Sequence, residues 1–135
     1  MPSPLRGKRI LLVEDETDAL EMIELVLAEA GASVATASSS TAAIDHMKRG
    51  PFDIVVSDIG LPGMDGYTLA GELRQLARER GGSEPPMVAF TAFTDSSHRQ
   101  RAVQAGFEAH IAKPVDPVAL VNLVSRLLSM TSPSA

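Results

Sequence analysis

The chain has no cysteine, so a disulfide framework and any Cys-ligated metal site are excluded. That absence fits a reducing cytoplasm, where the protein is expected to reside, without requiring it. Nor does any apolar run approach the roughly 18–20 residues that a membrane-crossing helix needs. The opening Met1 to Arg9 is basic, but the apolar stretch after it is only Ile10 to Val13 before Glu14 and Asp15 end it, too short for a signal peptide. No membrane partner is expected. A basic excess is also missing: the formal net charge is −5, against the positive footprint that general nucleic-acid binding requires. What is present is 135 residues, 44% hydrophobic and 21% charged, enough for one folded domain with one core.

The apolar pattern alternates between two kinds of segment. Ile10-Leu11-Leu12-Val13 is a short continuous run, as expected of a strand buried on both faces. Leu20, Ile23, Leu27 and Ala30 then recur at helical spacing, and Gly31 stands where a left-handed C-terminal cap is wanted. Val34-Ala35-Thr36 reads as a weaker second strand. Ser40 or a neighbour caps a short helix carrying Ala43, Ile44 and Met47, which Gly50-Pro51 ends. Ile54-Val55-Val56 is a third strand leading into Ser57-Asp58 and a Gly/Pro-rich loop from Gly60 to Gly66. Leu69, Leu73 and Leu76 mark the next helix, which runs out at Gly81-Gly82. Met87 to Phe90 is a fourth strand ending at Thr91, and Asp95 or Ser96 starts a fourth helix that stops at Gly106. His110-Ile111-Ala112 is a brief fifth strand ending at Lys113-Pro114. Asp116 caps the last helix, with Pro117 at its first position and Leu120, Val121, Val124 and Leu128 on its buried stripe. Five strands alternating with five helices predict an α/β fold, a five-stranded parallel sheet covered on both faces by helices, reached through right-handed crossovers.

In such a sheet every strand ends along one edge, and ligands bind outside that edge where the strand order reverses. The first strand delivers Glu14 and Asp15 there, the third Asp58, the fourth Thr91 and the fifth Lys113. The alternation alone does not determine the strand order. In the order 2-1-3-4-5, strands one and three are neighbours and three carboxylates stand side by side. Strands about 4.8 Å apart bring Asp15 and Asp58 within a few ångströms, so a proton or a cation must compensate. Mg²⁺ suits this oxygen-only donor set, with Mn²⁺ as a substitute. Asp58 is a candidate nucleophile for a phosphoryl group, Lys113 a point charge for its oxygens and Thr91 a hydroxyl donor.

Four motifs carry a resemblance: Leu12-Val13-Glu14-Asp15, the run from Ser57 to Gly66, Thr91-Ala92 and Lys113-Pro114. Together, from about Lys8 to Leu128, the chain resembles the receiver domain of bacterial response regulators and hybrid histidine kinases. The resemblance implies a flavodoxin-like (βα)₅ three-layer sandwich over residues 8–129, with an N-terminal extension at 1–7 and a flexible tail at 130–135. It implies a signalling switch rather than an enzyme, with Asp58 as the phosphoacceptor for a phosphohistidine on a sensor histidine kinase or histidine phosphotransfer protein. Glu14, Asp15, Asp58 and the Gly60 carbonyl would hold Mg²⁺, Glu14 through water. Thr91, Ala92 and Lys113 would contact the phosphoryl group, and the Lys113–Pro114 bond would be cis. Thr91 and His110 would form the switch, and a downstream target would read the face built from the fourth helix, fifth strand and fifth helix.

Two positions depart from the family pattern. His110 stands where Tyr or Phe is usual, which weakens the aromatic gate or makes it pH-sensitive; the same residue reads equally as an ordinary strand-edge histidine. Phe93, two past Thr91, is expected to obstruct the water that attacks an acyl phosphate and so to slow self-dephosphorylation. The alternative function is a phosphorylation-independent interaction module with the same fold, for which Asp58, Thr91 and Lys113 would be dispensable. An aspartate-nucleophile hydrolase of the haloacid-dehalogenase type is disfavoured, since its second Asp is replaced by Gly60 and no cap domain is inserted. No output domain fits in 135 residues, so the chain reads as a stand-alone receiver or as one taken from a larger protein such as a hybrid kinase.

Overall fold

A computed structural model describes residues 3–59, 66–82, 84–91 and 96–131, with backbone alone for 91, 96–99, 130 and 131. Ten elements alternate: β1 (Arg9–Val13), α1 (Thr17–Glu29), β2 (Ser33–Ala37), α2 (Ser40–Arg49), β3 (Ile54–Asp58), α3 (Gly66–Glu79), β4 (Met87–Thr91), α4 (Ser96–Ala105), β5 (Ala109–Ala112) and α5 (Pro117–Thr131). All four strand pairings are parallel, and the order is β2-β1-β3-β4-β5, as expected from the sequence. Among the described residues no helix is long and apolar enough to cross a membrane.

The sheet separates two apolar clusters, and the two-residue period of each strand assigns its side chains to one or the other. Leu11, Val13, Val55, Met87 and Ala89 pack with Ala43 and Met47 of α2 and with Leu69 and Leu73 of α3. Ile10, Leu12, Ile54, Val56, Val88 and Phe90 pack with Ile23 and Leu27 of α1 and with Leu120 and Val124 of α5. This explains why the central strands read as continuous apolar runs: both faces are covered. The edge strand β2 is half-buried, which is why its signal was weaker.

Helix ends follow the chemistry of their residues. Ser39 Oγ accepts the amide of Ala42 at 3.1 Å and caps α2, one residue earlier than Ser40. Asp116 Oδ1 accepts the amide of Val118 at 3.0 Å and caps α5. In contrast α1 has Glu16 at its N-cap with no side-chain cap bond, so neither Asp15 nor Glu16 is occupied in capping.

Residues 3–7, expected as an extension, pack against the end of α1. The Leu5 amide donates to the Ala30 carbonyl at 2.9 Å, and the Leu5 side chain is fully buried in the α1/α5 cluster. Gly31 permits this approach: its φ is +104°, and a Cβ there would lie 2.7 Å from the Ser3 Cβ. Leu5→Ala is therefore expected to destabilise the protein by about 2–4 kcal/mol, read as a shift in the urea midpoint at constant slope. An unchanged midpoint would show that this segment contributes nothing to the core.

Candidate functional site

Register determines which side chains meet at the sheet's C-terminal edge. Val13 pairs with Ser57, so Glu14, one residue beyond β1, comes level with Asp58. Asp58 pairs with Phe90, and Phe90 with Ile111. Each of these shares the parity of the α1/α5 cluster on its own strand, so Glu14, Asp58, Phe90 and Ile111 form one row on that face. Lys113 lies two residues past Ile111 with the same parity. Position along five short strands thus converts residues 14, 58 and 113 into neighbours.

The Lys113 ammonium sits between two carboxylates, 3.1 Å from Glu14 Oε1 and 3.1 Å from Asp58 Oδ2. Glu14 is fully buried and Asp58 is 6% exposed, so solvent screens the acidic pair poorly. Asp15 is exposed, and one carboxylate oxygen from each of Glu14, Asp15 and Asp58 lies within 4.8 Å of the others. Burial, followed by the hydrogen bond with Asp58, raises the Glu14 pKa to about 7, against a smaller opposing effect of Lys113. For Lys113, burial favours the neutral amine, but the hydrogen bonds to Glu14 and Asp58 together with the charges of both acids outweigh it and raise its pKa, keeping it an ammonium. One ammonium cannot neutralise three carboxylates. The remaining negative charge and the oxygen-only donor set fit a small divalent cation such as Mg²⁺.

Two contributions were missed from sequence. Lys113 was expected at a phosphoryl group, whereas its pairing with Glu14 depends on side-chain parity that spacing alone does not display. Gly66 was placed in the loop but is the first residue of α3. Its amide donates to the Ile59 carbonyl at 2.8 Å, and a Cβ on it would stand 2.6 Å from Ile59 Cα and 2.7 Å from the Asp58 carbonyl oxygen. Only glycine lets α3 start this close to the end of β3. The available signal was a glycine immediately before the apolar period of Leu69 and Leu73.

Thr91 ends β4 and pairs with Ala112. His110 pairs with Ala89, whose cluster is on the α2/α3 side, so it occupies the opposite face from Glu14 and Asp58; it is half-buried. The Lys113–Pro114 peptide bond is cis. Gly60, Ala92 and Phe93 lie outside the described residues, as does the side chain of Thr91. Beside Lys113 opens a cavity of about 470 Å³ walled by Ala19, Met22, Ile23, Phe90, Pro114 and Val115, with Glu16 and Asp18 also lining it.

Comparison with known proteins adds independent findings. Residues 10–125 match the family model of the response regulator receiver domain. An uncharacterised 14.6 kDa protein of Leptolyngbya boryana is 34% identical over 93% of this chain and 94% of its own length. The sensor histidine kinase GacS of Pseudomonas protegens is 33% identical over 88% of this chain, which spans 13% of that kinase. Among solved structures, the receiver domain of the sensor histidine kinase PA1611 from Pseudomonas aeruginosa is similar with a TM-score of 0.81 and 30% identity, covering 91% of this chain and 98% of that one. That structure has a magnesium ion coordinated in its active-site cleft.

The buried acid has a measurable consequence for stability. Glu14 binds its proton more tightly folded than unfolded, so between its ordinary pKa of 4.5 and about 7 the native state holds a proton that the unfolded state has released. Stability contributed by this group is thus present at low pH and lost as pH rises through that window, by on the order of 3 kcal/mol. The raised Lys113 pKa acts only in the alkaline range. Urea titrations in EDTA across the window should show the decline in the wild type and a flatter profile in Glu14→Gln. Equal slopes for the two proteins would refute the assignment.

Proposed function

Because this chain belongs to the response regulator receiver domain family, we propose that it is a phosphoacceptor switch in which Asp58 receives a phosphoryl group from a phosphohistidine. The donor is a sensor histidine kinase or a histidine phosphotransfer protein. An Asp58 carboxylate oxygen attacks phosphorus, the phosphorus–nitrogen bond breaks, and its electron pair stays with the departing imidazole, leaving an acyl phosphate on Asp58. Glu14, Asp15, Asp58 and the Gly60 carbonyl would hold Mg²⁺, Glu14 through water. When bound, that ion supplies positive charge to the phosphoryl oxygens.

The observation that carries this reading is the Lys113 ammonium 3.1 Å from Asp58 Oδ2 and 3.1 Å from Glu14 Oε1. A charge held there meets a phosphoryl oxygen on Asp58 without moving far, and it stays cationic because Glu14 holds it from the other side. Thr91 and Ala92 would complete the phosphoryl contacts, as membership of the family implies. A binding module with no chemistry gains nothing from a buried acid pair that costs stability. Thr91 and His110 then relay the modification to the face formed by α4, β5 and α5, where the downstream target reads it.

Incubation with acetyl phosphate and Mg²⁺ should add one phosphoryl group to the intact protein by mass spectrometry. The gain should vanish in Asp58→Asn and with EDTA, and Asp15→Asn should slow it by at least about tenfold, with partial recovery at higher Mg²⁺. A wild-type protein that never gains mass would favour the phosphorylation-independent interaction module.

A further inference from the structure

β4 lies between β3 and β5, so the Lys113 side chain must pass over a β4 residue to reach Asp58. The residue in register with Asp58 is Phe90, on the same face of the sheet. Its ring centroid is 5.1 Å from Lys113 Nζ, and the residue is fully buried. A desolvated ring face at that distance attracts an ammonium through its quadrupole. Lys113 itself is 29% exposed and follows the end of β5. The two carboxylates hold the tip of this long flexible stem, and the ring beneath it favours the path by which it reaches them.

We propose that Phe90 is a positioning residue for the phosphoryl-transfer site, seating the Lys113 ammonium on its ring face so that the charge is held over Asp58. The inference rests on the function proposed above and deepens it. Phe90 touches neither phosphoryl group nor metal; it acts through Lys113. The ring also borders the cavity of about 470 Å³.

The test compares Phe90→Leu, which keeps an apolar side chain but removes the π face, with Phe90→Tyr, which keeps it. In carbon–proton correlation spectra the Lys113 ε-methylene protons should be displaced upfield in the wild type and Phe90→Tyr and return to ordinary lysine positions in Phe90→Leu. Phosphorylation by acetyl phosphate should slow about three- to tenfold in Phe90→Leu and be retained in Phe90→Tyr. Mg²⁺ affinity, measured calorimetrically, should not weaken in either. A role confined to packing predicts instead that phosphorylation and Mg²⁺ affinity fall together in step with melting temperature. Where leucine proves too small to fold, Phe90→Met serves in its place. The proposal is overturned by an ordinary lysine shift in the wild type, or by a folded Phe90→Leu that phosphorylates at the wild-type rate. Should the wild type accept no phosphoryl group while the ring shift is present and lost in Phe90→Leu, the reaction assignment fails and the seating of the ammonium stands.

Discussion

Two carboxylates on adjacent strands, pointing to one side of a sheet and shielded from water, cannot both stay charged without a cation between them. In this molecule the cation is Lys113, brought from a strand two places away. Most other features of the site follow from that constraint. Glu14 is pushed towards neutrality by its burial first and by the neighbouring Asp58 second, and the shared ammonium only partly opposes this. Lys113 is locked as an ammonium because it has two acids to answer. Asp15, exposed at the rim, adds a third carboxylate that the lysine does not reach, which is why the site is still short of positive charge. Among the described residues no buried side-chain nitrogen or oxygen lacks a hydrogen-bond partner, so the tension lies in charge and not in unmet hydrogen bonds.

The sequence displayed the elements more readily than their relations. Ile10 to Val13 and Ile54 to Val56 announce buried strands because both faces of each are covered, and Gly31, Ser39 and Asp116 do at their helix ends what those residue types do generally. The order β2-β1-β3-β4-β5 needed the resemblance, since alternation is compatible with more than one winding. Convergence of residues 14, 15, 58 and 113 was legible because parallel strands deliver their ends to one edge. What could not be read were contacts that depend on fractions of a turn or on parity: the bond from Lys113 to Glu14, the seat of Lys113 on Phe90, and the approach of Gly66 to Asp58. Leu5 escaped for a different reason. A lone apolar residue among Pro4, Arg6 and Gly7 has no periodicity to reveal that it is core.

Parity also divides labour between the two faces. The acids and Lys113 share the α1/α5 face, while His110 belongs with Ala89 to the other. A signal of the kind proposed, from Asp58 to His110, would therefore have to cross the plane of the sheet, and β4 offers the connection, since Phe90 neighbours Asp58 on one face and Ala89 neighbours His110 on the other. A rigid strand has little freedom to transmit anything but a small shift of its end. That places the burden on whatever packs most loosely against that end.

Among the described side chains, those of α4 commit less to the core than those of α5. Burying a Leu-sized side chain stabilises by roughly 1.5–3 kcal/mol, and α5 commits Leu120, Val124, Leu127 and Leu128 to the core. Among the described side chains of α4, Ala102 alone is buried, and Val103 is 71% exposed. Its C-terminal end is nonetheless secured: Phe107 donates to the Ala102 carbonyl at 2.9 Å and Gly106 to that of Val103 at 3.0 Å, the pairing of a left-handed glycine cap. Nearer its middle the helix is held by Arg101 stacked 4.3 Å over the Tyr67 ring, an exposed contact worth about 0.5–1 kcal/mol. Charge-assisted hydrogen bonds to a new phosphoryl group contribute about 1.5–3 kcal/mol each. That is more than the Arg101–Tyr67 stack and far less than the burial holding α5. Within the face proposed to meet a downstream partner, the proposed phosphorylation would thus act on the described part of α4 more readily than on α5, whose burial fixes its half of the surface.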